Sequence, residues 1–177
     1  MKNKKSFINR IYREKDIKKI DAKINQFGVS KKFTTEYFMN FRLFTSIIVF
    51  VVLFIFADFG ALIAPVATVL WYILVGYFMI DKPLKKRERK LDNEAYYYFE
   101  VLTLALESGR NLENAIKMAC KYIDSEISSE FKETIKQVNF GKSLTESLSV
   151  MSARIPSLTI NNIILNMEQS NLFGNSI

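Results

Sequence analysis

Phe140-Gly141-Lys142-Ser143 ends as a phosphate-binding loop does, with a lysine and a hydroxyl behind a glycine. The full G-x-x-x-x-G-K-[ST] loop needs a first glycine at position 136, which is Lys136, and a strand before it, where this chain has a helical pattern. Nucleotide binding is therefore not expected. The chain has no histidine and one cysteine, Cys120, so no His-based triad, His/Cys metal cage or internal disulfide can be built within it. Cys120 falls in an apolar stripe and reads as core. The carboxylates lie on solvated helix faces with lysines three or four positions away, as Glu113 with Lys117, which is ordinary surface pairing. No catalytic constellation emerges, and the expected reading is a non-enzyme without cofactor or metal.

The residues that stand out are instead glycines at helix junctions. Gly109-Arg110-Asn111-Leu112 and Gly141-Lys142-Ser143-Leu144 share one phrase, and Gly174-Asn175-Ser176-Ile177 repeats it at the end of the chain. Each reads as a helix stopping at glycine and the next starting on a side-chain cap. Gly109, Asn111, Gly141, Ser143 and Gly174 are thus structural. Ser143 and Glu146 make the S-x-x-E capping box, with Glu146 placed to reach back to the cap N–H.

These junctions separate amphipathic stripes. Ala95, Tyr98, Phe99, Leu102, Ala105 and Leu106 form the first, and Leu112 to Ile123 the second. Ile127, Phe131, Ile135 and Val138 make the third, Leu144, Leu148, Met151 and Ile155 the fourth, and Ile160 to Met167 the fifth. Short connections favour antiparallel neighbours, so 95–177 is expected to be a helical bundle.

The elements before it are of another kind. Leu43 to Ile80 carries a single charge, Asp58. Ala61 to Ile80 is 20 uncharged residues, about 30 Å as a helix, which matches a bilayer's hydrocarbon core. Leu43 to Ala57 extends backwards through Phe41, Met39, Phe38 and Tyr37 if Arg42 snorkels. Residues 37–80 are therefore expected to form a transmembrane hairpin turned at Asp58-Phe59-Gly60, with Asp58 a hydrated turn residue.

The chain's net charge of +7 comes from the amino-terminal end, whose first 42 residues hold Lys and Arg in excess of Glu14, Asp16, Asp21 and Glu36 by eight. A second basic collar, Lys82, Lys85, Lys86, Arg87, Arg89 and Lys90, follows the second span in a juxtamembrane linker, 81–94. Positive flanks on both sides place both ends of the hairpin, and so the helical domain, in the cytoplasm of a multi-pass membrane protein. In the basic arm, 1–36, Ile17, Ile20, Ile24 and Phe27 make one apolar stripe of a helix over 16–27 that stops at Gly28. Such a helix suits anionic lipid or a neighbouring subunit, with a plain topology signal as the other reading. No nucleic-acid motif accompanies the charge.

This layout resembles the type II secretion system F family in its Tad (Flp) pilus branch. LALESGRNLENAIKMA, FGKSLTESLSVMSARIP and EQSNLFGNSI carry the likeness, with Ser108 and Ser147 where the family more often has alanine. The final G-x-S-I phrase leans towards the second of the branch's two paired platform proteins, the TadC-like one. The resemblance implies an all-α platform protein with no active site, docking on a cytoplasmic secretion ATPase and passing its motion to pilins. Its partners would be that ATPase, a paired platform protein or further copies of itself, and pilin. It also implies about six helices in the domain, of which five are present here, so the chain reads as truncated at its carboxyl end. A membrane-anchored α-hairpin scaffold of tetratricopeptide type is the alternative, since the glycines recur at 32 and 33 residues.

Overall fold

A computed structural model describes residues 12–29, 34–56 and 60–174, with the side chains at 56, 60–62, 173 and 174 left out. Asp58 and Phe59 lie outside these residues, as do 1–11 and the expected new helix start at Asn175, Ser176 and Ile177. Among the described residues every regular element is helical: α1 Glu14–Asn25, α2 Thr35–Phe56, α3 Gly60–Gly76, α4 Lys82–Glu107, α5 Leu112–Tyr122, α6 Glu126–Asn139, α7 Leu144–Ser152 and α8 Leu158–Gly174. The fold is all-α. The chain divides into two compact units, one of residues 1–24 with 32–83 and the other of 25–31 with 84–177.

In the first unit α2 and α3 pack against each other. Both are long and apolar enough to cross a membrane, and only 17% of the most apolar window of either is buried. Phe44, Ile47, Phe54, Ile55, Val66, Leu70 and Ile73 face outward. A soluble protein would leave that surface in water at about 25 cal/mol per Å2, whereas lipid covers it without penalty. The chain is accordingly a membrane protein. Arg42 lies seven residues into α2, its guanidinium carbon 3.6 Å from the centre of the Tyr72 ring, and Gly76 leaves room for it. The charge is thus placed over an aromatic face rather than among alkyl chains.

α1 joins this unit through Thr35 Oγ1, which donates to Asp21 at 2.6 Å, and through the Lys23–Asp81 ion pair at 2.5 Å. Glu14 and Asp16 in its first turn and Lys23 in its last complement the helix dipole. Beyond Gly76 the backbone widens into a π-helical segment, Tyr77–Asp81, in which Lys82 N donates to Tyr77 O, five residues back. The cause lies just ahead: Pro83 has no N–H and its ring would collide with the carbonyl four residues before it, so the ladder shifts register there.

The expected linker over 81–94 is different in the structure. Lys82 to Glu94 are the first half of α4, because Lys85 to Leu91 holds good helix formers and no glycine, and Lys90 and Glu94 form an i,i+4 pair at 3.6 Å.

The second unit has one continuous core. Leu91, Tyr98 and Leu102 of α4 meet Ile116 and Ala119 of α5, Ile127 and Phe131 of α6, Leu148 and Met151 of α7, and Ile160 and Ile164 of α8. The Tyr98 and Phe131 rings stack with centres 4.7 Å apart. The Tyr98 hydroxyl lies 3.4 Å from Cys120 Sγ, which in turn faces Ser128 O, so a buried polar end is not left orphaned. Burial pushes the Tyr98 hydroxyl's pKa up, with Cys120 adding to it.

Candidate functional site

Each of α5 to α8 begins on a side chain that satisfies one of its first free N–H groups. Asn111 Oδ1 accepts from Asn114 N at 2.9 Å, Ser125 Oγ from Ser128 N at 3.2 Å, Ser143 Oγ from Glu146 N at 3.1 Å and Ser157 Oγ from Ile160 N at 3.3 Å. Gly109 and Gly141 have φ of +83° and +96°, the left-handed region where a Cβ is costly. The Glu146 carboxylate lies 3.9 Å from Lys142 Nζ. Gly174 is the last residue of α8. At Gly109 and Gly141 the chain turns from one helix to the next.

The collar residues separate into two kinds. Lys82, Lys85, Lys86, Arg89 and Lys90 are exposed. Arg87 is only 7% exposed and sits in the most polar interior of the molecule, a correction to its expected place among lipid-facing charges. Its position on α4 turns it towards α6, one helical face away from the lysines around it.

There Arg87 Nε donates to Glu126 at 2.6 Å, Nη2 to Glu130 Oε1 at 2.8 Å, and Nη1 to the carbonyls of Arg154 at 2.7 Å and Gln26. Arg154 Nε donates to the other oxygen of Glu130 at 2.8 Å. Glu130, 1% exposed, also accepts from Val29 N at 2.9 Å. Glu126 and Glu130 are one turn apart on α6 and so present both carboxylates to the same guanidinium. Arg154 enters from the α7–α8 connection. Removal of two cations and a buried carboxylate from water costs several kcal/mol per ion, and only this many short charge-assisted bonds offset it.

At the rim, Lys90 Nζ lies 3.1 Å from Glu126, and that bond, with Glu126's charge, raises the Lys90 pKa. Glu94 Oε2 caps α6 from a neighbouring helix by accepting from Glu126 N at 2.7 Å and from Ile127 N at 3.3 Å. A cleft of about 430 Å3 lies here, lined by Lys90, Glu94, Asp124, Glu126 and Glu130. Both oxygens of Glu130 are already engaged by cations and an amide, so it is no general base. Among the described residues no group of three His, Cys, Asp or Glu side chains could hold a metal ion. The chemistry of this arrangement is recognition and positioning.

Sequence reading missed the cluster, because Arg87 is one of six cations in nine residues and Glu130 one of many helix-surface acids. The one available signal was Gly28, whose requirement comes from what lies against it.

An outward-facing apolar hairpin joined in one chain to a capped helical bundle defines an all-α membrane protein. Residues 98–175, from within α4 through α8, match the family model for type II secretion system (T2SS), protein F. The likeness to the type II secretion system protein F family is therefore carried by the helical domain. No curated protein and no solved structure matches the chain.

Proposed function

We propose that this protein is a non-enzymatic platform of a type II secretion or Tad (Flp) pilus machine, held in the cytoplasmic membrane by its hairpin. The helical domain faces the cytoplasm, docks on a secretion ATPase and passes that enzyme's motion to pilins, with a paired platform protein or further copies of the same chain beside it. The observation that carries this reading is the joining of a secretion-type F domain to two outward-apolar helices. The family match spans both glycine junctions, Gly109 and Gly141, which favours the platform over a tetratricopeptide scaffold.

The exposed collar, Lys85, Lys86, Arg89 and Lys90 with Lys82, supports cytoplasmic orientation through the positive-inside rule and offers about 1 kcal/mol per residue to anionic lipid. The test is co-purification of the detergent-extracted, tagged chain with its cognate secretion ATPase. Retention of the ATPase through washing is the expected result. A folded, inserted chain that retains none of it overturns the ATPase assignment.

A further inference from the structure

Most acids of the helical domain are neutralised where they stand. Glu94, Glu113, Asp124, Glu133 and Glu146 each lie within ion-pair distance of a lysine, and Glu126 and Glu130 hold Arg87. The second half of α4 and the whole of α8 differ. From Leu91 to Glu107 and from Leu158 to Gly174 there is no Lys or Arg, against Asp92, Glu94, Glu100, Glu107 and Glu168. Among the described residues no ion pair takes in Asp92, Glu100 or Glu107, and Asp92 accepts only from the Ser157 hydroxyl just before α8. In a chain of net charge +7 this face therefore carries negative charge that nothing on it offsets.

The same three acids line an apolar groove of about 550 Å3 between α4 and α8. Ala95 and Phe99 of α4 and Ile163 of α8 join it to the core, while Tyr96 and Leu104 are 71% and 61% exposed. Its lining on α4 recurs at 92, 96, 99, 103 and 107, the spacing of a single helix face. From Asp92 to Glu107 that face runs about 22 Å, some four helical turns.

Charge narrows what such a groove accepts. Anionic lipid and nucleic acid bring phosphates, which the acids repel. A second copy seated by a twofold axis would set Glu100 and Glu107 against the same acids of its partner, like charge on like. A cleft between two helices has no strand edge to extend, and its ridges suit a third helix laid along them. The apolar floor would supply affinity, and the acids would choose among helices by their charge.

We propose that the groove between α4 and α8 is the docking site for a basic amphipathic helix of a partner protein, its apolar stripe seated on Phe99, Leu104 and Ile163 and its Lys or Arg side chains paired with Asp92, Glu100 and Glu107. The three acids are eight and seven positions apart, so the matching helix carries cations at about that spacing with apolar residues between them. The site is independent of the ATPase assignment, since any partner bearing such a helix fits it.

Fluorescence anisotropy of two labelled synthetic helices, with the full chain in a non-ionic detergent, tests the site. Both peptides carry one leucine stripe over about four turns, flanked by lysines in the first and by glutamates in the second. The lysine peptide is expected to bind the wild-type chain about tenfold more tightly than the glutamate peptide. In the Glu100→Lys, Glu107→Lys double variant that preference should reverse, and Leu104→Asp should weaken the lysine peptide about tenfold; all three positions are exposed, so the fold is expected to tolerate the changes. Equal binding of the two peptides to the wild-type chain overturns the proposal and requires no variant. A lysine preference that survives the charge reversal places the peptide elsewhere and overturns it too. So does a chain that dimerises without peptide and loses the dimer in Leu104→Asp, since a second copy then fills the groove.

Discussion

Isoleucine means opposite things in the two halves of this molecule. Ile47 on α2 is 55% exposed and Ile116 on α5 is fully buried, although both sit in regular helices. In the hairpin the apolar side chains point away from the protein, because lipid accepts them, and what must be hidden is the polar remainder, as Arg42 is over Tyr72. In the helical domain the apolar stripes point inward, and among the described residues most charges lie at the surface, with Arg87, Glu130 and Arg154 drawn inward. The same residue types therefore carry stability in one unit and membrane compatibility in the other.

The contrast is sharpest at those three. Glu130→Ala leaves Arg87 and Arg154 without their shared acceptor and is expected to cost the domain about 3–5 kcal/mol, read by amide exchange of α5 and α6. The combined Arg87→Met, Glu130→Leu, Arg154→Met variant should recover most of that loss, since apolar groups of similar volume need no partner. Recovery would show that the cluster contributes specificity of position rather than net stability. A persistent loss would show that it stabilises in its own right.

Ile116→Ala is expected to cost about 2–5 kcal/mol by creating a cavity in the core, whereas Ile47→Ala should change stability by no more than about 0.5 kcal/mol. Equal effects on thermal melting of the solubilised chain would break the distinction between the two regions. Asn111→Ala and Ser143→Ala each remove a helix cap and should cost about 1 kcal/mol, measured the same way.

Replacing Lys85, Lys86, Arg89 and Lys90 with glutamine should leave the domain folded while altering the hairpin's orientation, measured by cysteine accessibility from either side of the membrane. The smallest effect belongs to Lys90. Its raised pKa means that its pairing with Glu126 favours folding at neutral pH, and the contribution fades as rising pH passes the raised value. A melt compared with Lys90→Gln should show a difference at neutral pH that vanishes in strong alkali.

Much of the architecture was legible in the amino-acid order because it depends on short-range pattern. Twenty uncharged residues from Ala61 to Ile80 mark a helix long and apolar enough to cross a bilayer, and the Gly-x-Asn/Ser-Leu phrases locate α5 and α7 because caps are local chemistry. The absence of histidine removed whole classes of catalysis at once. Local pattern failed at residues 81–94, where the missing helix stop outweighed the change in composition, so a linker by composition is a helix by backbone.

The ion cluster was beyond reach for a different reason. Arg87, Glu130, Arg154 and Gln26 are far apart in sequence, and nothing near any of them marks its partner. Hydrophobic periodicity says which face of a helix is buried but not which buried position faces which, and a charge among neighbouring charges carries no periodicity at all. The sequence by itself determined a charged arm, two long apolar helices and a capped helical domain, since each follows from the preferences of neighbouring residues for water, an apolar medium or a helix end. The tertiary structure decided that one cation of the collar turns inward, that one acid receives it, and that a glycine turn from the arm closes over both, because those choices rest on the packing of helices that meet only in space.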